Sequence, residues 1–363
     1  MQKIYNGIQN LERALKGSAK VLLVCDNSFP FLSIKQDIEQ MGVPYVVFDK
    51  FTPNPLYDDV CKGVDLFQTT KCDTILAVGG GSSLDVAKCI KLYCQMNKGK
   101  LYLEQEYKDT GVKLIAIPTT AGTGSESTRY AVIYYDGKKQ SVTHNSIVPN
   151  IAILEPKVLK TLPLYQKKCT MMDALCQGIE SWWSVNSTEE SYEYSRKTIE
   201  LIMANWRKYI FENDEEAAAQ IMLAANYGGR SINITQTTAA HAFSYKITSL
   251  YKLPHGHAVA VCLPEIWKYM IGNMDKCIDS RGKDYLASIF MLISESMGCI
   301  NSEVAISIFR SMMKDMGLNN PVAVKREEEL NVLSTSVNPV RLKNNPIELD
   351  AKAIVDLYNE IVN

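Results

Sequence analysis

Net charge is almost absent from this 363-residue chain: 39 basic side chains stand against 40 acidic ones, leaving −1. Such a balance gives no general attraction for nucleic acid or an anionic membrane, and neither is expected as a partner. No run approaches the roughly 18 apolar residues of a membrane span. The opening Met-Gln-Lys-Ile-Tyr-Asn lacks the charged-then-apolar pattern of a secretory leader. Ten cysteines are scattered along the chain, none in a C-x-x-C pair. That argues against zinc-ribbon or disulfide frameworks and leads us to expect a reducing, cytoplasmic setting. Internal repeats and low-complexity tracts are also missing. What remains is ordinary globular usage, 46% hydrophobic and 22% charged, long enough for two domains.

Histidine is scarce too, and its placement is informative. Three of the four histidines, His241, His255 and His257, fall within seventeen residues. Upstream, Asp173 and Gln177 are four apart, a spacing that puts both side chains on one helix face. A carboxylate, two imidazoles and a further oxygen donor suit a borderline divalent ion such as Fe²⁺ or Zn²⁺. Scattered structural residues would give the same list, so the pattern alone decides nothing.

The first 155 residues alternate short apolar runs with helical stretches. Residues 20–26, 44–48, 73–78 and 113–117 read as buried parallel strands. Helices are expected over 32–40, 57–68 and 84–93, completing a βαβ series. A hairpin over 128–143 turns at Asp136-Gly137. Beyond Pro156 the periodicity becomes helical, with amphipathic segments at 192–209, 215–226, 285–297 and 303–316. The expected fold is α/β: a parallel-sheet domain (1–155), then an all-α domain (156–363).

Two loops carry the chemistry of the first half. Gly79-Gly80-Gly81-Ser82-Ser83-Leu84-Asp85 follows a strand and opens a helix, where glycines let the backbone approach a pyrophosphate and the helix N-terminus supplies amide hydrogens. Pro118-Thr119-Thr120-Ala121-Gly122-Thr123-Gly124-Ser125-Glu126 follows the next strand, with hydroxyls suited to a phosphate or ribose. Together the loops predict a dinucleotide lying across the carboxyl ends of the sheet.

These two loops, Asp173-Ala-Leu and Pro254-His255-Gly256 resemble, in order and over nearly the whole chain, the iron-containing (group III) alcohol dehydrogenase family. The resemblance implies a dehydroquinate synthase-like architecture, in which the first domain is Rossmann-like and the second serves metal and substrate, with metal and nicotinamide meeting in a cleft. It implies cofactor contacts from Asp26, Asn54, Gly80, Gly81, Ser82, Asp85, Thr119, Thr120, Thr123 and Thr128, and from the less securely aligned Lys139. A carboxylate at Asp26 repels a 2′-phosphate, favouring NAD(H) over NADP(H). The implied metal ligands are Asp173, His241 and His255, with a glutamine at 177 where the family usually has histidine. Three readings stay open there: Gln177 ligates through its oxygen, a water takes the position, or metal binding is weakened.

Tyr245 stands where many members carry another histidine, and Arg230, Lys246 and Arg129 add cations. The functional reading is a pocket for an anionic group; the structural one is capping and surface roles. The combination most resembles the phosphonoacetaldehyde reductase branch. The implied activity is reversible, metal-assisted hydride transfer between a nicotinamide and a small aldehyde or alcohol, possible proton carriers being His257 or Tyr245. A lyase of the dehydroquinate synthase kind and a metal-free NAD-binding protein are the rivals. A homodimer or larger homo-oligomer is expected from the resemblance.

Overall fold

The computed structural model describes residues 2–337 and 339–363. The chain divides into two compact units. One runs to Leu162 and includes Asn213–Met222; the other holds Pro163–Glu212 and Leu223–Asn363. The first unit thus runs to Leu162, and a short stretch of the later chain returns to it. Periodicity marks that stretch as helical, but a local pattern does not say against what a helix packs.

The first unit contains, in order, β1 (Lys3–Asn6), α1 (Leu11–Leu15), β2 (Val21–Cys25), α2 (Lys35–Glu39), β3 (Tyr45–Phe48), α3 (Tyr57–Thr69), β4 (Thr74–Gly79) and α4 (Gly81–Tyr93). It continues with β5 (Lys113–Pro118), β6 (Tyr130–Tyr135), β7 (Lys138–Thr143) and β8 (Ile151–Leu154). Six strands form a parallel sheet in the order β1-β8-β5-β4-β2-β3. The central β2 and β4 are buried along their whole length, as continuous apolar runs demand when both faces are covered. The sequence reading missed β1 and β8, which have four residues each and pair from Lys3↔Ile151 to Asn6↔Leu154. β1 lies at the sheet edge with no buried residue, so it offers no apolar run. The helix expected over 32–40 shrinks to α2, because Leu32 is extended after a turn over Phe29–Phe31. β6 and β7 form the expected hairpin, with Asp136 (φ 48°) and Gly137 (φ 67°) in the left-handed turn that strand twist favours.

The second unit is helical: α5 (Leu164–Trp183), α6 (Glu189–Arg207), most of α7 (Glu215–Thr235), α8 (Ala239–Tyr251), α9 (His255–Gly272), α10 (Lys283–Ser296), α11 (Ser302–Asp315), α12 (Arg326–Thr335), α13 (Pro339–Leu342) and α14 (Ala351–Ile361). Side-chain caps start several of them. Thr188 and Ser191 form a capping box for α6, Asn301 caps α11, and Asp350 caps α14. The core is aromatic where α5, α9 and α10 meet. Trp183 lies edge-on to Trp267 (5.6 Å) and Phe290 (6.0 Å), and its indole N–H donates to Thr238 Oγ1 at 2.9 Å. No helix among the described residues is long and apolar enough to cross a membrane.

Candidate functional site

In the first unit, parallel pairing of β4 with β5 brings the two loops together at their carboxyl ends. The Thr119 amide donates to Gly79 O at 3.0 Å. Gly79 has φ 154°, and a Cβ there would stand 2.2 Å from Ser83 Oγ, so only glycine fits. A Cβ on Gly80 or Gly81 would meet the side chains of Thr120 or Thr123 at 3.4 and 3.2 Å, so those threonines lie directly over the loop. The arrangement leaves bare backbone at the N-terminus of α4, the geometry that accepts a pyrophosphate.

Side chains pin this cradle. Asp26, just past β2, accepts from Ser83 Oγ (2.9 Å) through one carboxylate oxygen and from the Ser28 amide (2.8 Å) through the other. Asn54 holds a left-handed φ of 58° and approaches Ser82 Oγ with its amide at 3.4 Å. Asp85 accepts from Ser125 Oγ (2.8 Å) and the Val132 amide (2.9 Å), so it fastens the second loop to α4. Thr128, expected as a cofactor contact, accepts from the buried Lys88 ammonium at 3.1 Å; Lys88 also donates to Ser125 Oγ and Tyr130 O. Burial pushes Lys88 down to about 8, against the opposing pull of Asp85 and Glu126. The exposed Lys139 is near enough for its charge to pull the Asp85 carboxyl down against the effect of burial.

The second unit brings Asp173, His241 and His255 together from α5, α8 and α9. One donor atom of each lies within 4.8 Å of the others. His241 Nε2 is 3.4 Å from Asp173 Oδ1, an atom with no other hydrogen-bond partner. Gln177 Oε1, one turn along α5, is likewise buried without a partner. A buried, unpartnered carboxylate oxygen beside two imidazoles is costly unless something positive sits between them, whereas the Gln177 oxygen lies on the side of Gly228, 3.3 Å from where a Cβ on that glycine would stand. The residues present therefore fit a divalent ion, with Gln177 able to offer a neutral oxygen. Gly256 makes the convergence possible, because a Cβ there would lie 2.0 Å from Cys169 O and 2.8 Å from Asp173 Cβ. The first turn of α9, which carries His255, can therefore rest on the backbone of α5.

Glu180 completes the group, and the sequence reading gave it no role. It follows Asp173 by seven residues and Gln177 by three, on the same face of α5. Its Oε1 accepts from Thr238 Oγ1 (2.7 Å) and the amides of Thr238 (3.1 Å), Ala240 (3.0 Å) and His241 (3.3 Å), satisfying the start of α8. Its Oε2 meets His241 Nδ1. That contact places the Nδ1 proton toward Glu180 and turns Nε2 toward Asp173, the orientation a metal-binding imidazole needs. Burial would lower His241, but Glu180 and Asp173 hold it at about 9. Burial acts to raise Asp173, yet His241 and His255 keep its carboxyl below the usual value.

Tyr245 joins this group: its ring stacks on His255, with centroids 5.9 Å apart and planes 7° from parallel. Its hydroxyl neighbours Arg341 and Thr237. Sequence spacing gave no sign of Arg341, which lies on the four-residue α13 far along the chain. His257 is not brought into the group. One ring nitrogen meets the Tyr165 hydroxyl and the other Asn319 O, both at 2.9 Å, so it ties α9 to α5 and the segment before α12. Two residues along a helix its side chain points about 200° away from that of His255. Arg230 sits over the rings of Tyr194 (5.6 Å) and Tyr227 (5.9 Å), cation–π contacts that give it a packing role on α6 and α7. Arg129, in the first unit, lies over Tyr130 at 5.5 Å. Lys246 is half-buried on α8.

A parallel sheet with a glycine cradle, carried on the same chain as a carboxylate–imidazole donor set, is the equipment of a metal-assisted dehydrogenase. Residues 3–156 match the iron-containing alcohol dehydrogenase family, and residues 168–362 match the C-terminal part of the Fe-containing alcohol dehydrogenase family. The chain belongs to the iron-containing alcohol dehydrogenase family. It is an oxidoreductase acting on CH–OH groups, and its family implies a divalent metal and a nicotinamide dinucleotide. Among its relatives is the phosphonoacetaldehyde reductase of Streptomyces viridochromogenes, 28% identical over 317 residues covering 84% of this chain and 80% of that protein. The NAD-dependent methanol dehydrogenase of Bacillus methanolicus is 28% identical, covering 91% and 89%. The fold matches that of sulfoacetaldehyde reductase from Bifidobacterium kashiwanohense, solved with NAD⁺ (TM-score 0.89, 23% identity, 99% of this chain and 96% of that one).

Proposed function

We propose that this chain is an NAD(H)- and Fe²⁺-dependent aldehyde reductase whose substrate is a small anionic aldehyde, such as phosphonoacetaldehyde, reduced to 2-hydroxyethylphosphonate. The observation that carries the metal-dependent reading is the cluster of Asp173, His241 and half-buried His255, whose donor atoms lie within 4.8 Å of one another around an unpartnered carboxylate oxygen, with Gln177 one turn along α5 as a further oxygen donor. The likeness to phosphonoacetaldehyde reductase over 84% of the chain supports the substrate class. Zn²⁺ would fit the same donors.

When bound, the divalent ion supplies Lewis-acid polarisation of a carbonyl oxygen and the dinucleotide supplies the hydride. The protein's own residues do the rest. Asp173 provides the one negative charge of the donor set, and Glu180 fixes the His241 tautomer. The Gly79–Gly81 backbone and the hydroxyls of Thr120 and Thr123 receive the pyrophosphate, with Ser82 beside them. Asp26 disfavours a 2′-phosphate and so selects NAD(H). Tyr245, flat against His255, is the hydroxyl we assign to proton delivery at the substrate oxygen. His257, with both nitrogens engaged, keeps a positioning role. The active form is a homodimer in this reading, which sedimentation checks.

The test is NADH oxidation by Fe²⁺-reconstituted protein with phosphonoacetaldehyde, propanal and lactaldehyde in parallel. A kcat/KM for phosphonoacetaldehyde more than about tenfold above that for the neutral aldehydes is expected, the size of one charge-assisted contact. Turnover of neutral aldehydes alone would make this a general short-chain alcohol dehydrogenase, the reading that the methanol dehydrogenase relative favours. Substrate consumption without net NADH change would point instead to a lyase that regenerates its cofactor.

A further inference from the structure

Beside the donor set lies a guanidinium that no acid neutralises. Arg341, on α13, donates from Nη1 to Gln236 Oε1 at 2.8 Å, and it forms no ion pair among the described residues. Four other arginines of this unit are matched to acids, Arg281 to Asp279, Arg310 to Glu265, Arg207 to Asp315 and Arg196 to Glu193; Arg230 is spent over two tyrosine rings and Arg326 on the Val362 and Asn359 carbonyls. Arg341 is half-buried and held in place by its surroundings. α13 packs on α8. Gln236 is fixed in a left-handed conformation (φ 61°), and its side-chain oxygen also lies 3.5 Å from Asn344 Nδ2. Asn344 in turn donates to Thr237 O at 3.0 Å.

A half-buried cation held by neutral acceptors keeps its charge available for a ligand. Gln236 and the Tyr245 hydroxyl each engage the Arg341 guanidinium, which leaves the rest of its five N–H donors for the oxygens of an anion. Thr237 stands on the other side of the Tyr245 hydroxyl, a neutral donor close to the guanidinium. The Tyr245 ring spans from that hydroxyl to the face of the His255 imidazole. One tyrosine therefore separates the guanidinium from a residue of the metal-donor set.

We propose that Arg341, assisted by Thr237, binds the anionic group of the substrate, and so selects short aldehydes bearing a tetrahedral oxyanion near the carbonyl. This assignment rests on the reading of the donor set as the place where the carbonyl is reduced. It moves substrate recognition from Arg230 and Lys246, singled out in the sequence, to a residue with no local motif.

The experiment compares metal-loaded wild type, Arg341→Met and Arg341→Lys. The readout is the ratio of kcat/KM for phosphonoacetaldehyde to that for propanal, with sulfoacetaldehyde as a second oxyanion. Calorimetric titration of 2-hydroxyethylphosphonate gives binding without turnover, and thermal melting shows that each variant folds. The Met variant is expected to lower the ratio by about 30- to 100-fold, the weight of a lost charged bidentate contact, and to weaken product binding by a similar factor. The Lys variant keeps the charge but not the fork, and is expected to fall between; it carries the test if the Met variant does not fold. A wild-type preference for the oxyanion that survives in both variants overturns the Arg341 assignment alone. A wild type with no such preference overturns the substrate class, and the assignment with it.

Discussion

The cradle of the first unit and the donor group of the second solve opposite problems. The cradle presents backbone: its glycines keep side chains away, and Asp85, Lys88 and Ser125 brace the loops from behind. The donor group presents side chains from three helices, and each must be aimed. Its exactness comes from Glu180, which gathers the start of α8 and the His241 ring onto one carboxylate, and from Gly256, which lets α9 rest on α5. A backbone site can be specified by a local motif. A side-chain site needs tertiary neighbours that no local motif contains.

The sharpest way to break this comparison is Gly256→Ala. The added methyl meets a backbone carbonyl at 2.0 Å, which cannot swing aside. The unfolding free energy in urea is expected to fall by about 2–4 kcal/mol, with loss of metal stoichiometry and retained NADH binding. An unchanged denaturation midpoint would mean that the close approach of α9 to α5 is not a constraint. Next comes Glu180→Gln. The amide still accepts from Thr238, but an NH₂ opposite His241 Nδ1 drives the imidazole proton to Nε2, the ligand atom. Metal affinity, measured by chelator competition, is expected to fall about 10- to 100-fold with little loss of helicity.

The cradle side is tested by pH. Lys88 binds its proton with a pKa of about 8 in the folded chain against an ordinary 10.5. Between those values the unfolded chain holds a proton that the folded chain has released, so stability rises with pH. This contribution is complete above 10.5 and is lost as pH falls through about 8. Unfolding free energies at pH 8 and pH 10 should show a rise of at most about 1.4 kcal/mol per unit that is absent from Lys88→Met. Equal pH slopes would show Lys88 protonated throughout. The smallest effect belongs to Arg230→Ala, where lost stacking over Tyr194 and Tyr227 costs about 0.5–1 kcal/mol. The phosphonate-to-propanal ratio is expected to hold, and a large drop would return Arg230 to the substrate pocket.

Legibility followed the same division. The central strands and both loops of the cradle were readable because buried runs and glycine–hydroxyl loops are local signals. β1 was not, since an edge strand with no buried residue shows no apolar run, and β8 was not, although its run is as long as that of β3. In the donor group, Asp173, Gln177, His241 and His255 could be named from spacing and family resemblance. Glu180 was visible in principle as the next polar residue on the Asp173–Gln177 face, and the buried Thr238 cap was its missing partner. Arg341 had no signal of any kind; only the packing of α13 on α8 brings it near Tyr245. His257 shows the converse error, because nearness in sequence to a ligand says little when a helix turns the next side chain but one away.

Glu180 has one more consequence. Because it ties His241 to the amides of α8, the donor atoms are set by folding and do not wait for an ion to gather them. The ion then behaves as an exchangeable part in a finished socket. Chelation will leave a folded protein that regains activity on adding metal, without a refolding lag. Which metal it carries in a cell will follow supply as much as intrinsic preference.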